Sequence, residues 1–157
     1  MLFRSNKRYY LAYGSNLNVR QMTLRCPDAR IIGTAVIPDY RLMFKGSKSG
    51  SYLTIEEAPG MEVPVGVWEV SDRDELALDR YEGYPGFYYK KELTLPIEGI
   101  RSGKVRMRDA FVYIMHEERS LGVPTPSYLQ TCLTGYKHFG FDPMHLFEAY
   151  AYSRTEG

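Results

Sequence analysis

Three separated segments carry residues whose types and spacing could do chemistry. The first, Tyr13-Gly14-Ser15-Asn16-Leu17, follows a run of strand character and precedes a short helical pattern of Val19, Met22 and Leu24 that ends before Pro27. A tight turn between strand and helix can aim several backbone N–H groups one way, and the helix start adds partial positive charge. Together they suit a carboxylate or an oxygen that becomes negative. The same residues are also ordinary turn formers. They are no phosphate loop, because the long glycine spacing and the following Lys-Ser/Thr are missing.

The second segment is Leu78-Asp79-Arg80-Tyr81-Glu82-Gly83-Tyr84-Pro85-Gly86-Phe87-Tyr88-Tyr89. On a helix Glu82 falls four residues after Leu78 and beside Tyr81, at the margin of the apolar face. It also sits in the last turn, where the macrodipole disfavours negative charge, and the surrounding aromatics would desolvate it. Both effects raise its pKa, as a base working near neutral pH requires. An exposed carboxylate on a frayed helix end has the same local sequence. The third segment, Pro124-Thr125-Pro126-Ser127-Tyr128, reads on its own only as a capped helix start.

These segments need elements to hold them. Strands are expected at Tyr9 to Tyr13, Ala29 to Ile37, Tyr40 to Phe44, Leu53 to Glu57 and Val63 to Val70, with turns at Pro38-Asp39 and Pro59-Gly60 and a Gly/Ser/Lys loop from Lys45 to Ser51. Ser71 with Asp74 and Glu75 signals a helix start and Gly83 its stop, so Asp72 to Glu82 is predicted helical. Strands Tyr88 to Leu95 and Val105 to Met115 follow, joined through Glu98-Gly99 and Ser102-Gly103. A helix then opens at Pro126 with Leu129, Cys132, Leu133 and Tyr136 on its apolar face, and Pro143 opens a last helix. With no repeat and no interdomain linker, residues 1–157 read as one α+β domain, a barrel or strongly curved sheet with helices against it.

Composition sets limits on function. The 157 residues are 44% hydrophobic and 25% charged, ordinary for a packed domain that needs no disulfide staple. A net charge of +1 lacks the footprint of a nucleic-acid binder, and Lys104, Arg106 and Arg108 read as the solvated face of a strand. Two cysteines, no apolar leader and no membrane-length apolar run point to the cytoplasm and away from a membrane. His116, His138 and His145 lack metal-ligand spacing, Cys26 and Cys132 read as structural, and Ser15 is not in a G-x-S-x-G elbow. The fourteen tyrosines suit both a β-rich core and the walls of a polar pocket.

YYLAYGSNL at the start, GVWEV feeding a helix, LDRYEGYPGFYYK after it and PTPSY opening a late helix, in this order and spacing, resemble the gamma-glutamylcyclotransferase family, including its AIG2-like and BtrG-like branches. The resemblance spans nearly the whole chain. It implies a small mixed β-barrel flanked by helices. Tyr13, Gly14, Ser15, Asn16 and Leu17 would hold the glutamyl moiety through backbone amides, Glu82 would be the catalytic acid/base, and Tyr88, Tyr113 and Tyr128 would be pocket tyrosines. No metal or organic cofactor is implied. Thr125 replaces a frequent Ser and Lys90 a frequent Arg, both read as remote from the chemistry.

The implied reaction closes the glutamyl α-amine onto its own γ-carbonyl, releasing 5-oxoproline and an amine or amino acid. An intramolecular attack in a held geometry corresponds to effective molarities of roughly 10⁵ to 10⁸ M, so no nucleophilic Ser or Cys is needed. YGSN, rather than the YGTL of gamma-glutamylamine enzymes, favours gamma-glutamyl amino acids or peptides as the small-molecule substrate. Removal of a gamma-glutamyl protecting group from a biosynthetic intermediate uses the same chemistry, and a noncatalytic binding module would keep the fold without it. The chain is expected to act as a monomer or homodimer.

Overall fold

The computed structural model describes residues 7–47 and 50–156. In chain order it contains β1 (Arg8–Ala12), a 3-10 turn (Ser15–Leu17), α1 (Val19–Arg25), β2 (Arg30–Ser47), β3 (Gly50–Val70), α2 (Asp72–Glu82), β4 (Tyr88–Gly99), β5 (Val105–Met115), β6 (Ser120–Leu121), α3 (Pro126–Phe139) and α4 (Met144–Glu156). The strands run β3-β1-β5-β4-β2, and β2 pairs with β3 again, closing a ring of five with β6 attached to β2. Among the described residues only β1 and β5 pair in parallel, so the barrel is mixed. Side chains such as Leu11, Phe44, Ile55, Val65, Val67, Trp68, Phe111 and Ile114 are buried within the barrel or between its wall and the helices. No helix among the described residues is long and apolar enough to cross a membrane.

The four short strands expected between residues 29 and 70 are two long ones. Pro38-Asp39 and Pro59-Gly60 do not end them, because the ladder shifts register between Pro38 and Tyr40 and then resumes. Asp39 takes positive φ (59°) at this bulge, and its Oδ1 accepts the Gly60 N–H at 2.9 Å. The loop expected from Lys45 to Ser51 is mostly strand, with residues 48 and 49 outside the described set.

Helix α2 spans the predicted residues. Ser71 and Asp74 form a reciprocal capping box, and Gly83 ends the helix at φ 63°, a conformation that costs a residue without Cβ little. Thr125 caps α3, its Oγ1 accepting the Tyr128 N–H at 3.2 Å. Gly135 of α3 lets that helix lie against the 3-10 turn: a Cβ there would fall 2.5 Å from the Asn18 nitrogen.

Candidate active site

Strand β1 stops opposite Gly66, so β3 residues nearer its start pair with β2 along one edge and leave the other edge facing a cavity. The cavity measures about 320 Å³. Its wall includes Tyr10, Tyr13, Gly14, Ser15, Asn16, Tyr52, Leu53, Tyr81, Glu82, Phe87, Tyr88, Tyr113 and Tyr128. The three separated sequence segments therefore meet here. Of the residues expected at the site, Leu17 alone is absent from the wall. It is fully buried below the loop, and methyl groups on Gly66 or Gly135 would lie 2.7 and 2.8 Å from its side chain. Leu17 plugs the core and holds the loop from beneath.

The loop is fixed from several sides. Trp68 Nε1 donates to the Asn16 carbonyl at 3.0 Å, Tyr136 Oη to the Tyr13 carbonyl at 3.3 Å, and Asn18 Nδ2 to the Thr131 carbonyl at 3.2 Å. Ser15 Oγ bonds Tyr81 Oη at 2.8 Å, while the Asn16 side chain donates to Tyr10 Oη at 2.9 Å and accepts from Arg25. The 3-10 turn uses the Leu17 and Asn18 N–H groups internally. The N–H groups of Ser15 and Asn16, which precede them, have no acceptor among the described residues. Side chains and the turn itself thus occupy the loop's carbonyls and leave two adjacent main-chain donors for a ligand.

Glu82 ends α2 against this cavity, only partly exposed. Among the described residues its carboxylate has neither a hydrogen-bond nor an ion-pair partner. Burial raises its pKa from 4.5 to about 8, against the opposing pull of the Arg25 charge. Arg25 itself stacks 3.5 Å above the Tyr81 ring. Desolvation also holds Tyr10, Tyr13, Tyr88 and Tyr128 well above the usual phenol range, so these hydroxyls stay protonated.

Sequence reasoning missed Tyr10, Tyr52, Leu53, Tyr81 and Phe87 on the wall. Tyr81 and Phe87 lie inside one quoted motif and Tyr10 inside another, YYLAYGSNL, but no local signal marks Tyr52 or Leu53. Lys90 is also nearer the site than expected. Its Nζ bonds Glu75 at 2.7 Å and Asp79 at 3.0 Å, and Asp79 accepts the Tyr113 hydroxyl at 2.6 Å. Among the described residues no group of three or more His, Cys, Asp or Glu could hold a metal ion.

Comparison with known proteins agrees with this geometry. A family model described as gamma-glutamyl cyclotransferase, AIG2-like, matches residues 10–130. Gamma-glutamylcyclotransferase of Bos taurus is 32% identical over 139 residues, covering 83% of this chain and 71% of the relative, and that of Homo sapiens is 30% identical over the same span. A solved structure of a gamma-glutamyl cyclotransferase superposes with a TM-score of 0.74 at 27% identity, covering 93% of this chain and 88% of the other. Motifs, barrel and relatives converge: the chain belongs to the gamma-glutamyl cyclotransferase, AIG2-like family.

Proposed function

We propose that the protein is a gamma-glutamylcyclotransferase that releases 5-oxoproline from a gamma-glutamyl amino acid or peptide. The observation that carries this reading is the pairing of Glu82, whose pKa is raised to about 8, with the amides of Ser15 and Asn16 on one small cavity, all three without a partner among the described residues. The glutamyl α-carboxylate or the developing oxyanion takes the amides. The α-ammonium group takes Glu82.

The protons balance through one carboxylate. Glu82 removes a proton from the α-ammonium group, and the freed amine attacks the γ-carbon. A C–N bond forms as the carbonyl electrons move to oxygen. The new ring nitrogen still carries one proton too many. Glu82 passes its first proton to the departing nitrogen, the electron pair on oxygen re-forms the carbonyl as the old C–N bond breaks, and the carboxylate collects the second proton from the ring. That second proton converts the released amine to its ammonium form. A base whose pKa lies near the working pH suits this two-way traffic. Gly14, Tyr13, Tyr88, Tyr113 and Tyr128 shape the space in which the glutamyl chain must fold back on itself.

The test is incubation of purified protein with a panel of gamma-glutamyl amino acids, peptides and amines, with 5-oxoproline measured. Release from amino acid or peptide members supports the reading. A complete lack of 5-oxoproline across the panel overturns it.

A further inference from the structure

Leu53 lies on the free edge of β3, where its backbone N–H and C=O have no strand to pair with. Two tyrosines from different elements take them. Tyr88, at the start of β4, donates its hydroxyl hydrogen to the Leu53 carbonyl at 2.8 Å, and Tyr128, in the first turn of α3, accepts the Leu53 N–H at 3.1 Å. One residue's main chain therefore commits two neighbouring phenols in opposite senses. Tyr88 has spent its hydrogen and can offer the cavity only a lone pair. Tyr128 has filled a lone pair and keeps its O–H to give, the Cys132 sulfur beside it being a weak acceptor.

Their surroundings match this division. A methyl group placed on Gly14 would lie 3.4 Å from Tyr128 Oη, so the free O–H abuts the loop whose Ser15 and Asn16 amides are unclaimed. Tyr88 is instead within the electrostatic reach of the Glu82 carboxylate, which adds to the effect of burial on its hydroxyl. The donor stands with donors, and the acceptor stands with the acid.

We propose that Leu53 assigns the two tyrosines different parts in the reaction: Tyr128 is a further donor to the substrate oxygen that becomes negative, and Tyr88 is a further acceptor for the α-ammonium group. This rests on the gamma-glutamyl reading above. The Tyr88 and Tyr128 hydroxyls touch the substrate; Leu53 acts through them as a positioning residue. Tyr128 serves the transition state, so its loss falls on kcat. Tyr88 serves recognition of the amine, so its loss falls on the distinction between ligands with and without one.

The experiment uses the best substrate of the panel, for example gamma-glutamyl-alanine, and its glutaryl counterpart, which lacks the amine and serves as a competitive inhibitor. Tyr128→Phe lowers kcat about 10- to 100-fold with KM within about threefold. Tyr88→Phe lowers kcat/KM about 10-fold or more and leaves the inhibition constant of the glutaryl compound within about twofold. A merely structural role would weaken both ligands alike and lower Tm in parallel. Equal losses for both ligands, or an unchanged kcat in Tyr128→Phe, overturn the assignment. Should Tyr88→Phe fail to fold, with the Leu53 carbonyl left unpaired, the Tyr128→Phe arm decides alone. Wild-type protein that releases no 5-oxoproline refutes the underlying reaction, whereas normal wild-type turnover with uniform losses refutes only the division of roles.

Discussion

Helix α2 holds an acid at each end, Asp74 in its first turn and Glu82 in its last. Asp74 is fully buried, yet it is saturated: its carboxylate accepts the N–H groups of Ser71 at 3.2 Å and Asp28 at 3.3 Å, at the helix end where negative charge is favoured. Glu82 is more accessible but has no hydrogen-bond or ion-pair partner among the described residues and sits where the helix field opposes its charge. Exposure alone does not decide what a carboxylate does. Asp74 is spent on holding the chain together, and Glu82 is kept for a substrate because the fold gives it nothing else to bind.

The strongest way to break this contrast is Glu82→Gln. Its expected effect is a loss of 5-oxoproline release of at least about 10²-fold, with the circular dichroism spectrum unchanged. Substantial turnover in the folded variant would remove Glu82 from the chemistry. Asp74→Ala has the opposite profile: about 2 to 3 kcal/mol less stability in urea unfolding, from the lost cap and the orphaned donors, with near-normal kcat in the protein that remains folded. A kcat loss as large as that of Glu82→Gln would erase the distinction between the two ends.

A third prediction concerns pH. Below about pH 4.5 the group at position 82 is protonated whether the chain is folded or not, and stability is unaffected. Between 4.5 and about 8 the unfolded chain releases the proton while the folded chain retains it, so stability falls as pH rises through this window. Measured by chemical denaturation, the wild type loses on the order of 1 to 3 kcal/mol more than Glu82→Gln across the window. Parallel curves for the two proteins would contradict the raised pKa. The smallest expected effect comes from Arg25→Met. Removing that charge raises the Glu82 pKa further, moves the rising limb of kcat/KM to higher pH and costs about two- to threefold at pH 7. An unmoved pH profile would show that Arg25 serves only to pin Asn16 and Tyr81.

What the sequence made readable follows the range of the interactions. Helix α2 and its glycine stop were legible because capping and left-handed termination are decided within four or five residues. Tyr13 to Asn16, Glu82, Tyr88, Tyr113 and Tyr128, separate in the motif order, lie on one cavity, whereas the Leu17 amide, expected to face the substrate with its neighbours, is bonded to the Gly14 carbonyl, since a motif does not reveal which N–H groups a turn uses internally. Strand lengths were misjudged at Pro38 and Pro59 because a bulge can absorb turn-forming residues within a ladder. Tyr52 and Leu53 were invisible for a different reason. Their place depends on where β1 ends on β3, a pairing between residues more than fifty positions apart.

That early end of β1 also bears on what a strand margin can recruit. An unsatisfied strand margin is ordinarily a template on which a foreign chain can add and aggregation can begin. At Leu53 the exposed rung is closed by two phenol hydroxyls, which turn a vulnerable margin into a ligand wall. The backbone groups that a further strand would need at this rung are already taken, and the same two aromatic caps furnish the pocket.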